Sequence, residues 1–203
     1  MRLYSYVVAR DFGFAPNPFN GVCTLATCKP NIRKAASVGD WILGTGSSSN
    51  SLSGRLVYIM QVSEKLTYDD YWNNEKFNVK KPNLKGSLKQ AFGDNIYHRN
   101  LQTGEWMQEP SHHSLPNGNQ NLLNVDHDTQ TEFILVGERF TYWGGNGPSI
   151  PNHFRNYNGI DICALRNHKC NFSVAFVNEF LAWFNSLNVS GYLYPPKQFR
   201  KKS

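Results

Sequence analysis

Two polar segments in the middle of the chain hold residue types that carry out acid–base chemistry. They are Asp94-Asn95-Ile96-Tyr97-His98 and Ser111-His112-His113-Ser114. An aspartate and a histidine can together move a proton to or from a reacting group, with Ser114 or a bound water as the nucleophile. We therefore take Asp94, His98 and His113 as candidate catalytic residues. A structural or ligand-orienting role is the more common use of such side chains, and it stays open.

The same histidines could bind a metal ion together with Asp94. The sequence contains no HxH or HExxH spacing, however, and adjacent histidines point in different directions in an extended chain. We predict neither a metal site nor a cofactor.

Two other segments could hold a phosphate group. Lys29 and Arg33 are four residues apart, on one face of a predicted short helix, where Arg33 could make a two-point contact and Lys29 could act as a point charge. An ordinary solvated helix face is the equal alternative. Gly44-Thr45-Gly46-Ser47-Ser48 could cradle a phosphate with its backbone N–H groups, although a hairpin turn is more common. This segment lacks the Gly-Lys-Ser/Thr ending of a P-loop.

Aromatic residues make up 14% of the chain and could stack on a nucleic-acid base. We place Asn17, Phe19 and Trp41 at a pocket between a loop over residues 10–21 and the central strands. An asparagine amide can interact with a base edge through its paired donor and acceptor. Alternatively, Asn17 caps its own turn and Phe19 fills the core. The remaining candidate ligand-binding residues are Thr45, Ser47, Asn95, Tyr97 and Trp143.

Short strands and a few helices must position these residues. Pro30 suits the first turn of a helix over 30–36, and Thr67 followed by two aspartates predicts another helix start. Apolar residues at helical spacing predict the longest helix over 173–187. Residues 75–130 contain few apolar runs, and we expect an ordered but irregular segment there. The predicted strands span 3–9, 22–28, 41–44, 55–62, 133–143 and 191–194.

The composition bounds the class of protein. A chain of 203 residues with 40% hydrophobic residues supports one domain, which we place at 1–196, followed by a basic tail over 197–203. The net charge of +6 favours a polyanionic partner, but the tail carries much of it. We interpret the four cysteines as free thiols, and we expect a cytoplasmic protein with neither a signal peptide nor a membrane span. The cysteines are Cys23, Cys28, Cys163 and Cys170.

The segment from Pro30 to Trp72 resembles the PUA-like barrels of the EVE, ASCH and YTH domains. Its short basic helix is followed by Val38-Gly39-Asp40, a strand, a serine-containing turn, a second strand and Thr67-Tyr68-Asp69-Asp70-Tyr71-Trp72. This resemblance implies an α/β (α+β) domain with a small mixed β-barrel flanked by helices. It also implies a pocket in which aromatic rings hold a flipped or modified base.

The whole chain resembles the second type of nucleotide-modification-associated domain. The segments that carry this resemblance are Ala15-Pro16-Asn17-Pro18-Phe19, Cys28-Lys29-Pro30-x-Ile32-Arg33, Gly44-Thr45-Gly46-Ser47, Asp94-Asn95-Ile96-Tyr97 and Phe140-x-Tyr142-Trp143-Gly144. The family implies a link to DNA or nucleotide modification and, with it, to phage defence.

Three hypotheses about function follow. The first is a module that binds a nucleotide, or a nucleic acid with a modified base, in an aromatic pocket without a nucleophile beside a base. The second is an enzyme that modifies or hydrolyses a nucleotide or base by glycosyl transfer, nucleotidyl transfer or hydrolysis. The third is a protein-interaction domain that uses a loop over 117–128. A homodimer would fit any of them.

Overall fold

The computed structural model describes residues 1–199, which form eleven strands and six helices. The strands are β1 (Leu3–Val8), β2 (Cys23–Leu25), β3 (Trp41–Gly46), β4 (Leu56–Gln61), β5 (Glu64–Thr67), β6 (Tyr97–Arg99), β7 (Trp106–Gln108), β8 (Phe133–Gly137), β9 (Phe140–Tyr142), β10 (His168–Lys169) and β11 (Gly191–Tyr192). The helices are α1 (Pro30–Ala35), α2 (Tyr68–Asn73), α3 (Leu88–Ala91), α4 (Leu122–Asp128), α5 (Asn152–Arg155) and α6 (Val174–Ser186). Short 3₁₀ turns occupy Ser48–Asn50, Glu75–Lys80, Gly144–Asn146 and Lys197–Phe199.

A six-stranded mixed sheet lies at the centre, in the order β10-β1-β3-β4-β9-β11. β1 runs parallel to β3, with Leu3 opposite Trp41 and Val8 opposite Gly46. β11 runs parallel to β9, and the other neighbouring strands are antiparallel. A second sheet has the order β2-β8-β5, and β6 pairs with β7. The prediction of a mixed α/β fold is therefore confirmed. The predicted barrel is not seen, since no sheet within residues 1–199 closes on itself.

The central sheet has a separate core on each face, because side chains alternate between the two faces of a strand. Trp41 and Leu43 of β3 pack with α6, whose buried residues are Phe176, Val177, Phe180, Leu181 and Phe184. Ile42, between them, packs on the opposite face with Tyr6. Helix α6 matches the predicted apolar stripe and begins at Ser173, whose Oγ accepts the N–H of Phe176 at 3.1 Å.

The predicted strand over 133–143 is two strands in two different sheets. β8 pairs with β2 and β5, whereas β9 pairs with β4 of the central sheet. The crossing needs Gly137, since a Cβ at that position would lie 2.9 Å from the carbonyl oxygen of Gln61. Strands passing this closely exclude any larger residue there.

The predicted helix start at Thr67 is observed. Thr67 Oγ1 accepts the Asp70 N–H at 3.1 Å, and the Asp70 carboxylate in turn accepts the Thr67 N–H at 3.3 Å. The irregular segment over 75–130 contains α3, the β6–β7 hairpin and α4. None of the helices described here is long and apolar enough to cross a membrane.

The predicted basic tail begins inside the fold. Lys197–Phe199 is a 3₁₀ turn, and Asp11 accepts the N–H of Lys197 at 2.9 Å through its carboxylate. The carbonyl of Asp11 accepts the N–H of Gln198. The rest of the predicted tail, 200–203, lies outside the described residues.

Candidate functional site

A large cavity of about 560 Å³ lies where the end of β1, the following loop and the start of α1 meet α4. Tyr6, Phe12 and Phe14 supply aromatic surface. Side-chain amides and basic or histidine side chains supply the polar lining, while no aspartate or glutamate among residues 1–199 lines the cavity. The polar and basic lining residues are Arg10, Lys29, Asn31, His112, His113, Asn124, His127, Gln130, Asn167 and His168.

Cys28, His113 and Asp128 form a row at the wall of this cavity. The Cys28 Sγ lies 3.8 Å from His113 Nε2, and His113 Nδ1 lies 2.9 Å from Asp128 Oδ2. Since a carboxylate oxygen only accepts, Nδ1 carries the proton and Nε2 faces the thiol. A thiol, an imidazole and an orienting carboxylate in this order are the parts of an activated cysteine nucleophile.

Asp128 is fully buried, and the fold satisfies both of its carboxylate oxygens. Oδ1 accepts the Cys28 N–H at 2.7 Å, and Oδ2 accepts the Tyr97 hydroxyl at 3.0 Å in addition to His113. Gln108 donates to the Tyr97 hydroxyl at 2.9 Å. These bonds hold the end of α4, the β6–β7 hairpin and the start of α1 in one arrangement.

The buried Arg33 side chain holds the backbone carbonyls next to the row in place. Its Nε donates to the Cys28 carbonyl at 2.8 Å, and its two terminal nitrogens donate to the carbonyls of Phe133 and Asp128 at 2.6 and 2.5 Å. Cys28 and Lys29 are consecutive residues in the left-handed region, with φ of 57° and 45°. Such conformations cost roughly 1–3 kcal/mol each and persist where the surroundings impose them, often at functional sites.

The two adjacent histidines have opposite electrostatic environments. Burial disfavours the charged form of His113, but its hydrogen bonds to Asp128 and Cys28 outweigh burial and raise its pKa to about 9. Burial, with the neighbouring His113, lowers the pKa of His112 to about 4. The His112 ring packs on Phe12 and Phe92, with centroids 4.6 and 5.0 Å away. His113 is therefore suited to proton transfer, and His112 to packing.

The row offers few ligand atoms for a metal ion. Its three donor groups lie close enough together to be considered. Asp128, however, is fully buried and already accepts from Cys28, Tyr97 and His113, whereas Cys28 and His113 line the cavity. A structural zinc site uses four protein ligands and a catalytic one usually three. The geometry thus favours an acid–base pair over a metal centre.

The structure separates the other candidate catalytic residues from this row. Asp94 is fully buried and accepts Thr24 Oγ1 at 2.6 Å and the Tyr71 hydroxyl at 2.8 Å, and burial raises its pKa. His98 stacks on Trp72 and lies 2.9 Å from Glu109 through Nε2. Neither residue lines the cavity.

Several candidate ligand-binding residues hold the core together instead. Asn17 is buried: its amide donates to the Phe92 carbonyl at 2.9 Å, and its side-chain oxygen accepts Lys80 Nζ at 2.8 Å. The Asn95 amide donates to the Tyr71 carbonyl at 2.9 Å. Phe19 lines a second, smaller cavity of about 350 Å³.

The candidate ligand-binding residues on or next to the strands are also packed inside the fold. Trp41 and Trp143 pack against Phe184 of α6, on the face of the sheet away from the large cavity. Thr45 is buried and donates to the Tyr6 carbonyl at 3.2 Å, and Ser47 pairs with Ser49 at 2.9 Å. Of the proposed phosphate-binding pair, Arg33 is buried in its backbone contacts, whereas Lys29 lines the cavity.

Of the residues predicted from the sequence, His113 and Lys29 line this cavity, whereas Tyr97 is buried behind it as a hydrogen-bond donor to Asp128. Cys28 and Asp128 were not predicted as chemical groups. Cys28 stands 85 residues from His113 and 100 from Asp128 along the chain, so no local spacing could join them. The available signal was a lone cysteine directly before a Lys-Pro helix start, together with histidines elsewhere in the chain.

Fold and cavity together define a mixed α/β protein with a Cys–His–Asp row at the wall of a basic, partly aromatic cavity. The family model described as nucleotide modification associated domain 2 matches residues 1–203, the whole chain. The chain therefore belongs to this family, as its sequence motifs predict. No curated protein and no solved structure matches it significantly.

Proposed function

We propose that this chain is a cysteine-dependent enzyme of nucleotide modification. Cys28 is the nucleophile, His113 the general acid and base, and Asp128 the residue that positions His113. The observation that carries the proposal is the row from Cys28 Sγ through His113 to Asp128, with separations of 3.8 and 2.9 Å, at the cavity wall. It favours the enzyme over the binding module, which needs no nucleophile beside a base.

The reaction class follows from the donor set. Glycoside hydrolysis generally uses a pair of carboxylic acids, and phosphoryl transfer generally uses carboxylate-bound magnesium. The described cavity lining contains no carboxylate for either role. A thiol activated by histidine is suited to attack on a carbonyl carbon. Acyl transfer or hydrolysis of an amide or ester attached to a nucleotide is therefore the chemistry we assign.

The steps are those of acyl transfer through a thioester. Cys28 reacts as the thiolate beside the protonated His113, the form that the raised pKa of His113 favours. The Sγ bonds to the carbonyl carbon while His113 Nε2 gives its proton to the departing amine or alcohol. A water or an acceptor amine next attacks the thioester carbonyl and gives its proton to His113 Nε2, and the sulfur leaves as the thiolate.

The nucleotide part of the proposal has two supports. The family description associates this domain with nucleotide modification. Tyr6, Phe12 and Phe14 also line the cavity, where a base could stack on one of their rings. This same aromatic surface favours the second candidate function, a module that holds a modified base without turnover. The PUA-like relationship, the cytoplasmic location, the link to phage defence and the homodimer stay predictions.

Trapping of the covalent intermediate tests the proposal. The protein is incubated with a panel of nucleotides whose bases carry an ester or amide, and its intact mass is measured. We expect an acyl adduct on Cys28 that hydroxylamine removes, absent in Cys28→Ser and retained in Cys170→Ser, which changes an exposed thiol. An adduct that persists in Cys28→Ser contradicts the assignment. Stoichiometric binding without adduct or turnover favours the binding module.

A further inference from the structure

The charges around the large cavity are one-sided. Its lining includes Arg10 and Lys29 together with four histidines, while no acidic side chain among residues 1–199 lines it. The buried Asp128 lies behind His113, which it already binds. A concave site lined by one sign of charge concentrates ligands of the opposite sign. The cavity is thus suited to an anionic ligand.

Lys29 is the cation in this lining whose surroundings are least favourable without a ligand. Its side chain is half-buried, and its Nζ lies 4.9 Å above the centre of the Tyr6 ring. Lys29 takes part in none of the ion pairs formed within the described chain. Burial lowers its pKa. A bound anion would offset the loss of hydration that this position imposes on the ammonium group.

His168 lies on the same side of the cavity as Lys29. It stands on β10 directly opposite Tyr6 of β1, whose ring Lys29 covers. Burial lowers the pKa of His168, and the charge of Lys29 lowers it further, as expected of two basic groups close to each other. Asn167, the preceding residue, adds a side-chain amide to the lining.

Phe14, Cys28 and His113 line the same cavity. The Phe14 ring lies 4.6 Å from the His113 ring, centre to centre, and His113 faces Cys28. A flat apolar group placed against Phe14 therefore lies beside the nucleophile, whereas Lys29 and His168 lie towards Tyr6. The total volume of about 560 Å³ is in the range of pockets that enclose a small organic ligand.

We propose that Lys29 and His168 form a phosphate subsite, and that the cavity takes a nucleoside monophosphate. Its phosphate lies between these two side chains and its base lies against Phe14, beside Cys28. This assignment rests on the proposed function for the role of Cys28, but the subsite itself depends only on the charge and shape of the cavity.

Binding measurements on the full chain with Cys28→Ser, which removes the nucleophile, test the subsite. The probes in isothermal titration calorimetry are inorganic phosphate, the common nucleoside monophosphates and the matching nucleosides. We expect the preferred monophosphate to bind at least about tenfold more tightly than its nucleoside. Lys29→Met should lower that affinity at least about tenfold, and His168→Gln should weaken it as well. Lys34→Met, at an exposed lysine of α1, should change it less than about twofold.

Two results overturn the subsite: equal affinities for nucleoside and monophosphate, or equal effects of Lys29→Met and Lys34→Met. Tighter binding of a dinucleoside monophosphate would assign the cations to a strand phosphate and overturn the mononucleotide. The alkylation rate of Cys28 separates this proposal from the proposed function. Rapid alkylation without phosphate binding overturns the subsite alone, and phosphate binding that needs Lys29 without a reactive Cys28 overturns the enzyme alone.

Discussion

The Nδ1 atom of His113 lies 2.9 Å from the Oδ2 atom of Asp128, so that the carboxylate determines which ring nitrogen faces Cys28. The two residues come from a turn and from the end of α4, fifteen positions apart. Their contact fixes the orientation of the imidazole and favours its protonated form. The reactivity of the Cys28 thiol should therefore depend on Asp128, although the Asp128 carboxylate makes no hydrogen bond to the Cys28 sulfur.

Asp128→Asn tests that dependence. An amide carries no charge to stabilise the protonated His113, so we expect alkylation of Cys28 by iodoacetamide at pH 7 to slow at least about tenfold. Peptide mass spectrometry measures the rate. Asp126→Asn, at an exposed position of the same helix, is the matched control. Equal rates in the two variants would show that Asp128 does not position His113.

The raised pKa of His113 predicts a pH-dependent contribution to stability. The folded protein holds this proton up to a pKa of about 9, above the ordinary value near 6.5 of an unfolded chain. This contribution to the free energy of unfolding is therefore fully present below pH 6.5, where it amounts to at most about 3 kcal/mol. It is lost as the pH rises through 9.

Denaturant unfolding from pH 6 to pH 10 measures this effect. We expect the free energy of unfolding of the native chain to fall more steeply over this range than that of His113→Gln. His127→Gln, which changes an exposed histidine of α4, should follow the native chain. Parallel curves for native chain and His113→Gln would rule out the stabilised imidazolium.

Arg33→Met should destabilise the protein by at least about 3 kcal/mol. The substitution removes the donors to three buried carbonyls, those of Cys28, Phe133 and Asp128. Chemical denaturation measures the loss, and Lys34→Met, next in the chain and exposed, should cost less than about 0.5 kcal/mol. A small effect of Arg33→Met would mean that this side chain is free for a ligand.

Asp94→Asn distinguishes a structural carboxylate from a catalytic one. Asp94 accepts from Thr24 and Tyr71, and its charge acts on the buried Lys80. We expect a loss of about 2–4 kcal/mol in unfolding free energy, because Lys80 loses its compensating charge. The alkylation rate of Cys28 in the folded variant should stay within about twofold of the native value. A lower alkylation rate in Asp94→Asn would show that Asp94 contributes to the reactivity of Cys28.

The spacing of apolar residues and the capping residues at helix starts predicted the parts of the fold that depend on local sequence. The stripe of α6 and the capping box at Thr67 are examples, since both are set by residues three or four positions apart. The strand predicted at 41–44 is observed within β3, but its Trp41, which we placed at a pocket, packs on α6 instead. Only the tertiary arrangement of the sheets decides that.

The candidate site depends still more on tertiary structure. His113 was identified by its residue type, whereas its partner Cys28 lies 85 residues away, and the helix start that follows Cys28 does not by itself indicate a nucleophile. Asn17 and Asp94 have the polar character of ligand-binding residues, but both serve a buried network with Lys80 and Thr24. Residue type alone does not separate these two uses of a buried polar group.

Site-resolved alkylation at pH 7 measures whether His113 activates Cys28. Cys28 is half-buried and Cys170 is exposed, so accessibility alone would make Cys170 the faster of the two. We expect Cys28 to react with iodoacetamide at least about tenfold faster than Cys170, and His113→Gln to abolish this difference. Faster reaction of Cys170 in the native chain, unchanged by His113→Gln, would contradict it.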